Sequence, residues 1–133
     1  MPLVVLLPEP SVLFNRKGTK KVLSLILDEN EDIFNAIKQG MQEQKLSEAK
    51  IEGIEGKIKE GTVAFMNGSR YKTKNLSNAE VLLASGAYKL SFEELFGVVH
   101  LTLAGKPPLS ATLVKGKACN GLQVRLSFIE FEA

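Results

Sequence analysis

The chain has 133 residues, of which 44% are hydrophobic and 24% are charged, and its formal net charge is +2. This composition is typical of a single-domain soluble protein, and a chain of this length buries enough surface to fold without disulfides or a structural metal. The single cysteine, Cys119, excludes an intramolecular disulfide. The apolar run Leu3–Leu7 is far shorter than the roughly 20 residues of a membrane span, and its flanks lack signal-peptide features, so we expect a cytoplasmic protein.

Charge is distributed unevenly along the chain. Residues 1–27 carry a net charge of +3, residues 28–60 carry −4, and residues 61–127 carry +5. Six basic residues of the last segment are candidates for binding a polyanion: Arg70, Lys72, Lys74, Lys115, Lys117 and Arg125. They are spread singly over predicted strands and turns, except for the first three. The pattern therefore favours a solvated surface of mixed charge over a nucleic-acid patch.

Residues 1–19 are predicted to be an N-terminal extension, followed by one domain over residues 20–133. Three prolines lie in the extension, which suits an added edge strand or an arm laid on a neighbour. The first predicted strand of the domain is Lys20–Leu27, whose apolar residues fall on both faces, as in a strand that is covered on both sides.

An acidic cluster over residues 28–32 predicts the start of a helix, with Asp28 or Asn30 as the cap. Apolar residues then recur at every fourth position, at Ile33, Ile37 and Met41. This spacing predicts an amphipathic helix over residues 31–45. Gly40 lowers the helix propensity by up to about 1 kcal/mol relative to alanine, so we interpret it as a point of close packing on a sheet.

After Ser47 the hydrophobic period changes to two, which predicts strands over the rest of the chain. Strands are predicted over residues 51–56, 58–66, 70–75, 79–90, 96–103, 108–114 and 121–131, with a tight hairpin turn at Asn67-Gly68. In the last strand, Leu122, Val124, Leu126 and Phe128 are expected to face inward and Gln123, Arg125 and Ser127 outward. One early helix and six to eight later strands predict an α+β fold. It would be a single domain with a mostly antiparallel, strongly curved sheet and one main helix packed on it.

Few residues carry catalytic chemistry. His100, the only histidine, lies in an apolar strand without a neighbouring nucleophile, which favours a half-buried histidine or a subunit contact over a base or ligand. A zinc site from His100 and Cys119 needs further ligands, and a free structural cysteine is favoured over a reactive thiolate. The segment Gly53–Gly56 lacks a phosphate-loop motif and is better explained by a bend or close approach of strands. We therefore predict no catalytic residue, cofactor or metal.

Five segments, taken in order over residues 20–131, resemble the PPC (plant and prokaryote conserved) domain: Asn30–Ile37, Ile51–Ile58, Leu83–Tyr88, Val99–Leu103 and Leu113–Gly116. Six residues match positions in the family patterns: Gly53, Gly56, Ser85, Gly86, His100 and Gly116. The resemblance implies that the four glycines are structural. It also leads us to expect that another backbone approaches Gly86 closely.

The departures from the family pattern concern metal and DNA binding. Two further histidines of the family's His-x-His and Gly-His-Leu strands are replaced here by Val98 and Thr112. A metal site needs several preorganised donors, so we expect it to be lost. The AT-hook that plant relatives join to this domain has no counterpart in the chain. Bacterial relatives resemble stand-alone trimers that are labelled as predicted DNA-binding proteins, but a fold alone does not confer that activity.

The sequence predicts a non-enzymatic homotrimeric module of a prokaryotic cytoplasm that acts through assembly and an unidentified protein partner, without a membrane. The apolar stretches Ala79–Ala84 and Val98–Leu103 are expected to be covered by a neighbouring subunit. One alternative is a DNA-binding-associated transcriptional regulator, although DNA binding is expected to be weak and non-specific. Another is a ligand, metal or enzymatic site at a subunit interface that combines His100 with Arg70, Tyr88 or Cys119.

Overall fold

The computed structural model describes residues 3–13 and 16–131, and the side chains of residues 18–130. The side chains of the predicted N-terminal extension up to Lys17 lie outside that range. The described elements are β1 (Leu3–Leu13), β2 (Arg16–Leu27), α1 (Ile33–Glu43), β3 (Glu48–Asn67), β4 (Arg70–Ser91), β5 (Glu94–Leu103), β6 (Leu109–Ala118) and β7 (Leu122–Phe131).

The strands form one seven-stranded sheet in the order β1-β2-β7-β3-β4-β5-β6, and β3 also pairs with β6. Every pairing is antiparallel. Residues 50–55 of β3 pair with β7 and residues 58–64 pair with β6, so β3 changes neighbours between them. Gly56 lies at this change with a φ of +122°, a conformation that favours glycine. The sheet therefore closes through β3, β4, β5 and β6, and the predicted α+β fold with a curved antiparallel sheet is confirmed.

Helix α1 is shorter than predicted at both ends. Its cap is Asp32, whose carboxylate accepts a hydrogen bond from the backbone N–H of Asn35 at 3.0 Å. The predicted caps Asp28 and Asn30 were wrong because the backbone before Asp32 is bound to the distant Ala118, with N–H to carbonyl distances of 2.9 Å in both directions. The helix ends at Glu43 because Lys45 adopts a φ of +56°.

The buried face of α1 packs on the side of the sheet that carries Leu23 and Leu25. It consists of Ile33, Ala36, Ile37, Gly40 and Met41. A Cβ at Gly40 would lie 2.8 Å from Leu25 Cδ2, so the predicted close packing of this glycine on the sheet is present. With 11 residues, α1 has about half the length of a membrane-spanning helix, and the described chain holds no helix that could cross a bilayer.

The predicted strands of the C-terminal part merge into fewer, longer ones. Five strands follow the helix rather than six to eight, because β3 and β4 each join two predicted pieces. The two strands pair along most of their lengths, and this pairing carries the backbone through glycines and polar residues that had indicated breaks. Ser127 in β7 was expected to face solvent, but it is buried and its hydroxyl hydrogen-bonds the Glu52 carboxylate.

Candidate functional site

The closed part of the sheet turns one side toward the core and the other toward solvent. Along β5, Val99, Leu101 and Leu103 are buried, whereas the residues that alternate with them are not. The strand registers then define a solvent-facing surface, which we call the outer face. It comprises Met66, Tyr71, Thr73, Leu83, Ser85, Ala87, Phe96, Val98, His100, Thr102, Ser110, Thr112 and Val114, with the buried Ala64 among them and Lys50, Lys89 and Lys115 at its edges.

His100 lies at the centre of the outer face. It stands directly opposite Thr112 on β6 and Ser85 on β4. Its Nδ1 shares a hydrogen bond with Thr112 Oγ1 at 3.2 Å, and the next rung brings the hydroxyls of Thr102 and Ser110 to 3.4 Å. The side chain is exposed, not half-buried as expected. Uncharged groups orient the imidazole, and no carboxylate on the outer face pairs with it.

The outer face carries many large apolar side chains, and charged ones lie at its edges, where Lys89 stands opposite Phe96 and Lys50 opposite Ala87. Six of the eight exposed large apolar side chains among the described residues lie on it: Met66, Tyr71, Leu83, Phe96, Val98 and Val114. Leu83 retains 68% of its surface and Tyr71 retains 69%. Large apolar side chains that are exposed together on one side of a sheet are typical of an interaction site. Sequence reasoning anticipated the apolar stretches on β4 and β5 but missed Met66 and Tyr71, whose position depends on the β3–β4 register.

The donor set around His100 does not fit a transition-metal ion. Val98 has no donor atom, and Thr112 offers a hydroxyl that already hydrogen-bonds the imidazole. Among the described residues, no three His, Cys, Asp or Glu side chains are grouped as metal ligands would be. Soft or borderline ions prefer several nitrogen or sulfur donors, and one imidazole beside hydroxyls does not meet that need.

Within one chain, the three residues considered as companions of His100 lie elsewhere. Tyr88 is on the opposite side of β4, 3% exposed, with its ring edge-on to Phe34 at a centroid distance of 6.1 Å. Burial raises the pKa of its phenol well above the usual range, and its hydroxyl has no hydrogen-bond partner among the described atoms. Cys119 contacts Asn78, with 3.6 Å between Sγ and Oδ1, and Arg70 lies at the β3–β4 turn.

The six predicted polyanion-binding residues divide into separate groups. Arg70, Lys72 and Lys74 alternate along β4 and share one face, which is opposite to that of Tyr71. Lys115 and Lys117 lie on β6, where Lys117 pairs with Glu60 at 3.6 Å. Arg125 on β7 pairs with Glu55 at 3.0 Å. One chain therefore gathers three of the six bases on one surface and leaves the other three apart from it.

The four predicted structural glycines all lie at close approaches. A Cβ at Gly86 would overlap the carbonyl oxygen of Val98 on β5, and a Cβ at Gly56 would lie 3.2 Å from Leu122 Cα. At Gly53 it would meet the guanidinium of Arg125, and at Gly116 it would meet Ile33. Gly61, Gly97 and their contacts with neighbouring strands were not predicted. At Gly61, Gly86 and Gly97 the nearest atom to an added Cβ is a backbone oxygen of a neighbouring strand, so these strands approach too closely for a side chain.

Known structures share this fold at low sequence identity. A metal-containing protein from Archaeoglobus fulgidus is 20% identical with a TM-score of 0.70, and the match covers 92% of this chain and 89% of that one. A PPC protein from Pyrococcus horikoshii is 17% identical with a TM-score of 0.64, over 96% and 83% of the two chains. A provisionally named DNA-binding protein from Bacteroides thetaiotaomicron is 21% identical with a TM-score of 0.61, over 95% and 85%.

A comparison with curated protein sequences finds none that matches. The model of the Plants and Prokaryotes Conserved (PCC) domain, in contrast, matches residues 15–128, which include α1, every strand of the outer face and most of β7. With the order of segments noted in the sequence and the shared fold, this match shows that the chain belongs to the Plants and Prokaryotes Conserved (PCC) domain family.

Proposed function

We propose that this chain is a non-enzymatic homotrimeric module of a prokaryotic cytoplasm, which acts through self-assembly and contacts with protein partners. The observation that carries the proposal is the outer face, where six large apolar side chains are exposed together. Removing one such half-exposed side chain from water contributes about 1 kcal/mol, so the whole face offers a substantial driving force for association.

A second copy of the chain fits the outer face better than a charged partner does. The middle of the face contains no Asp, Glu, Lys or Arg, and Lys89 at its edge is paired with Glu48 at 3.5 Å, so identical copies meet there with little repulsion between like charges. A face with exposed apolar side chains in its middle and charged residues at its edges also resembles the core and rim of a homodimer or trimer interface. The number of three copies is supported by the resemblance to stand-alone trimers.

Light scattering on a gel-filtration peak tests the proposal. We expect a mass three times the 14.5 kDa of one chain, and we expect Leu83→Glu to reduce it to that of a monomer without loss of secondary structure. Phe92→Glu is the matched control, because Phe92 is 99% exposed in the β4–β5 turn, beyond the outer face. A wild-type protein that is monomeric at micromolar concentration would contradict the proposed trimer. A Leu83→Glu variant that stays associated excludes the outer face as the interface.

The second candidate function is binding to DNA. It is supported by the names of relatives from Ralstonia eutropha and Bacteroides thetaiotaomicron, which are provisionally DNA-binding proteins, and by the three bases grouped on β4. We expect non-specific binding with a Kd no tighter than about a micromolar at physiological salt. A fluorescence-anisotropy titration with one duplex and its scrambled version tests this. Nanomolar binding to one and not the other favours a sequence-specific regulator instead.

A further inference from the structure

We infer that the β3–β4 ribbon, residues 63–74, is the element of this chain that contacts duplex DNA, by inserting its basic face into the major groove. This inference rests on the DNA-binding candidate function proposed above. It assigns a site, a partner geometry and a mode of contact to that function, and it begins from the way the end of the β3–β4 hairpin leaves the sheet.

The end of the ribbon is only two strands wide. The pairing of β3 with β6 stops at Ala64, opposite Thr112, whereas β3 and β4 continue to pair as far as Asn67 and Arg70. Residues 65–67 and 70–72 thus pair with each other and, in the described chain, with no other strand. Two strands lie about 4.8 Å apart, and such a ribbon enters a B-form major groove about 12 Å wide.

One face of the ribbon is basic. Arg70 stands opposite Asn67 and Lys72 opposite Phe65 in the two-stranded part, and Lys74 follows on the same side opposite Val63, where β3 still pairs with β6. Successive bases are therefore about 6.8 Å apart, which spreads three positive charges over about 14 Å. Met66 and Tyr71 occupy the other side, which is part of the outer face. The ribbon thus separates a cationic surface from a neutral one.

The three charges of the basic face are not compensated by acids. Residues 61–79 contain no Asp or Glu. Arg70, Lys72 and Lys74 are exposed, and none forms an ion pair with a described side chain. Of the twelve other basic residues with described side chains, six pair with glutamates: Lys20, Lys21, Lys59, Lys89, Lys117 and Arg125. Lys and Arg side chains that form no ion pair and lie on a projecting element are free to displace counterions from DNA phosphates.

The width of the groove selects DNA over RNA as the partner. The major groove of A-form RNA is deep and narrow and does not admit protein side chains to its floor, whereas that of B-form DNA admits a two-stranded ribbon. Contacts of the three basic side chains with DNA phosphates carry no sequence information, which agrees with non-specific binding.

Fluorescence anisotropy with a 20-base-pair DNA duplex between 50 and 200 mM salt tests the assignment. Each phosphate contact adds about −0.9 to the slope of log K against log salt, so Lys72→Gln with Lys74→Gln should flatten the slope by about 1.8 for each engaged ribbon. Affinity at 100 mM salt should fall at least tenfold. The single variant Lys72→Gln is compared with the control Lys57→Gln. Lys57 is exposed and lies about 27 Å along β3 from Phe65, the partner of Lys72. The control should leave the affinity and the salt slope unchanged.

Unchanged thermal unfolding and gel-filtration mass show that the variants are folded and assembled as the wild type. If the wild type binds DNA and the double variant keeps its affinity and slope, the ribbon is not the contact, although the DNA-binding candidate stands. Equal losses from Lys57→Gln and Lys72→Gln, or equal binding to an RNA duplex, also overturn groove insertion by the ribbon. A wild type that does not bind DNA at 50 mM salt refutes the inference and the candidate function together.

Discussion

Substituting Gly86 by alanine should destabilise the fold far more than its small size indicates. Gly86 lies on β4 directly opposite Val99 on β5, with a φ of +152°. An added Cβ would overlap the carbonyl oxygen of Val98 and lie 3.1 Å from the Val98 carbonyl carbon and from Val99 Cα. All three atoms belong to the backbone, so no side-chain rotation relieves the overlap, and β5 must move away from β4.

The cost has two parts. Placing an L-residue at a sparsely populated backbone conformation costs about 1–3 kcal/mol. Moving β5 weakens one or two backbone hydrogen bonds of the β4–β5 ladder, each worth about 0.5–1.5 kcal/mol. We therefore expect a loss of about 2–5 kcal/mol, which is a large part of the 5–15 kcal/mol that stabilises a typical domain. Gly86→Val should be worse, because its branched side chain adds further overlap.

Thermal and urea unfolding of Gly86→Ala beside Gly121→Ala separates the two parts. Gly121 also has a positive φ, +87°, but a Cβ there would meet nothing within 4 Å, so that variant bears the conformational strain without the overlap. We expect Gly86→Ala to melt well below Gly121→Ala. Equal melting temperatures for the two variants would refute the close approach of β5 to Gly86, and with it the β4–β5 register that forms the outer face.

Three further outcomes are expected. Asp32→Ala, which removes the cap of α1, should lower the free energy of unfolding by about 1 kcal/mol in a urea titration, whereas Asp32→Asn should stay within a few tenths. The Ser127 hydroxyl lowers the pKa of Glu52 below its ordinary 4.5, so this carboxylate stabilises the fold above that pH and the contribution is lost on acidification. Ser127→Ala should therefore reduce the fall of the melting temperature between pH 6 and pH 3. Tyr88→Phe, which removes a buried hydroxyl without a described partner and keeps the contact with Phe34, should melt at or above the wild-type temperature.

The periodicities of the sequence were sufficient for the fold class but not for the ends of its elements. The four-residue repeat from Ile33 to Met41 gives the buried face of α1, and alternation gives the strands. The start of the helix, however, depends on hydrogen bonds between residues 30–31 and Ala118, which is more than 80 positions away. Asn30 had the composition of a cap, but these long-range bonds hold its backbone outside the helix.

The candidate site was predictable in its residue types and not in their grouping. His100 and the basic residues were evident from the sequence. Which bases remain unpaired depends on strand register, since Arg125 meets Glu55 and Lys117 meets Glu60 only when β7 and β6 lie beside β3. No local pattern encodes such partners, because each pair joins strands that are more than 50 residues apart in the chain.

The register of the β3–β4 ribbon links the two proposals. Tyr71 faces the same side as His100, whereas Arg70 and Lys72 face the other, so contact between copies through the outer face leaves each basic face open. Three basic side chains on one ribbon would hold DNA weakly, because each would release one condensed counterion. Joining several ribbons in one assembly raises the local concentration of the second and third once the first has bound, provided that their spacing lets them engage the same duplex. If both proposals hold, self-assembly would be the physical means by which a chain with three basic side chains on one ribbon acquires measurable affinity for a polyanion.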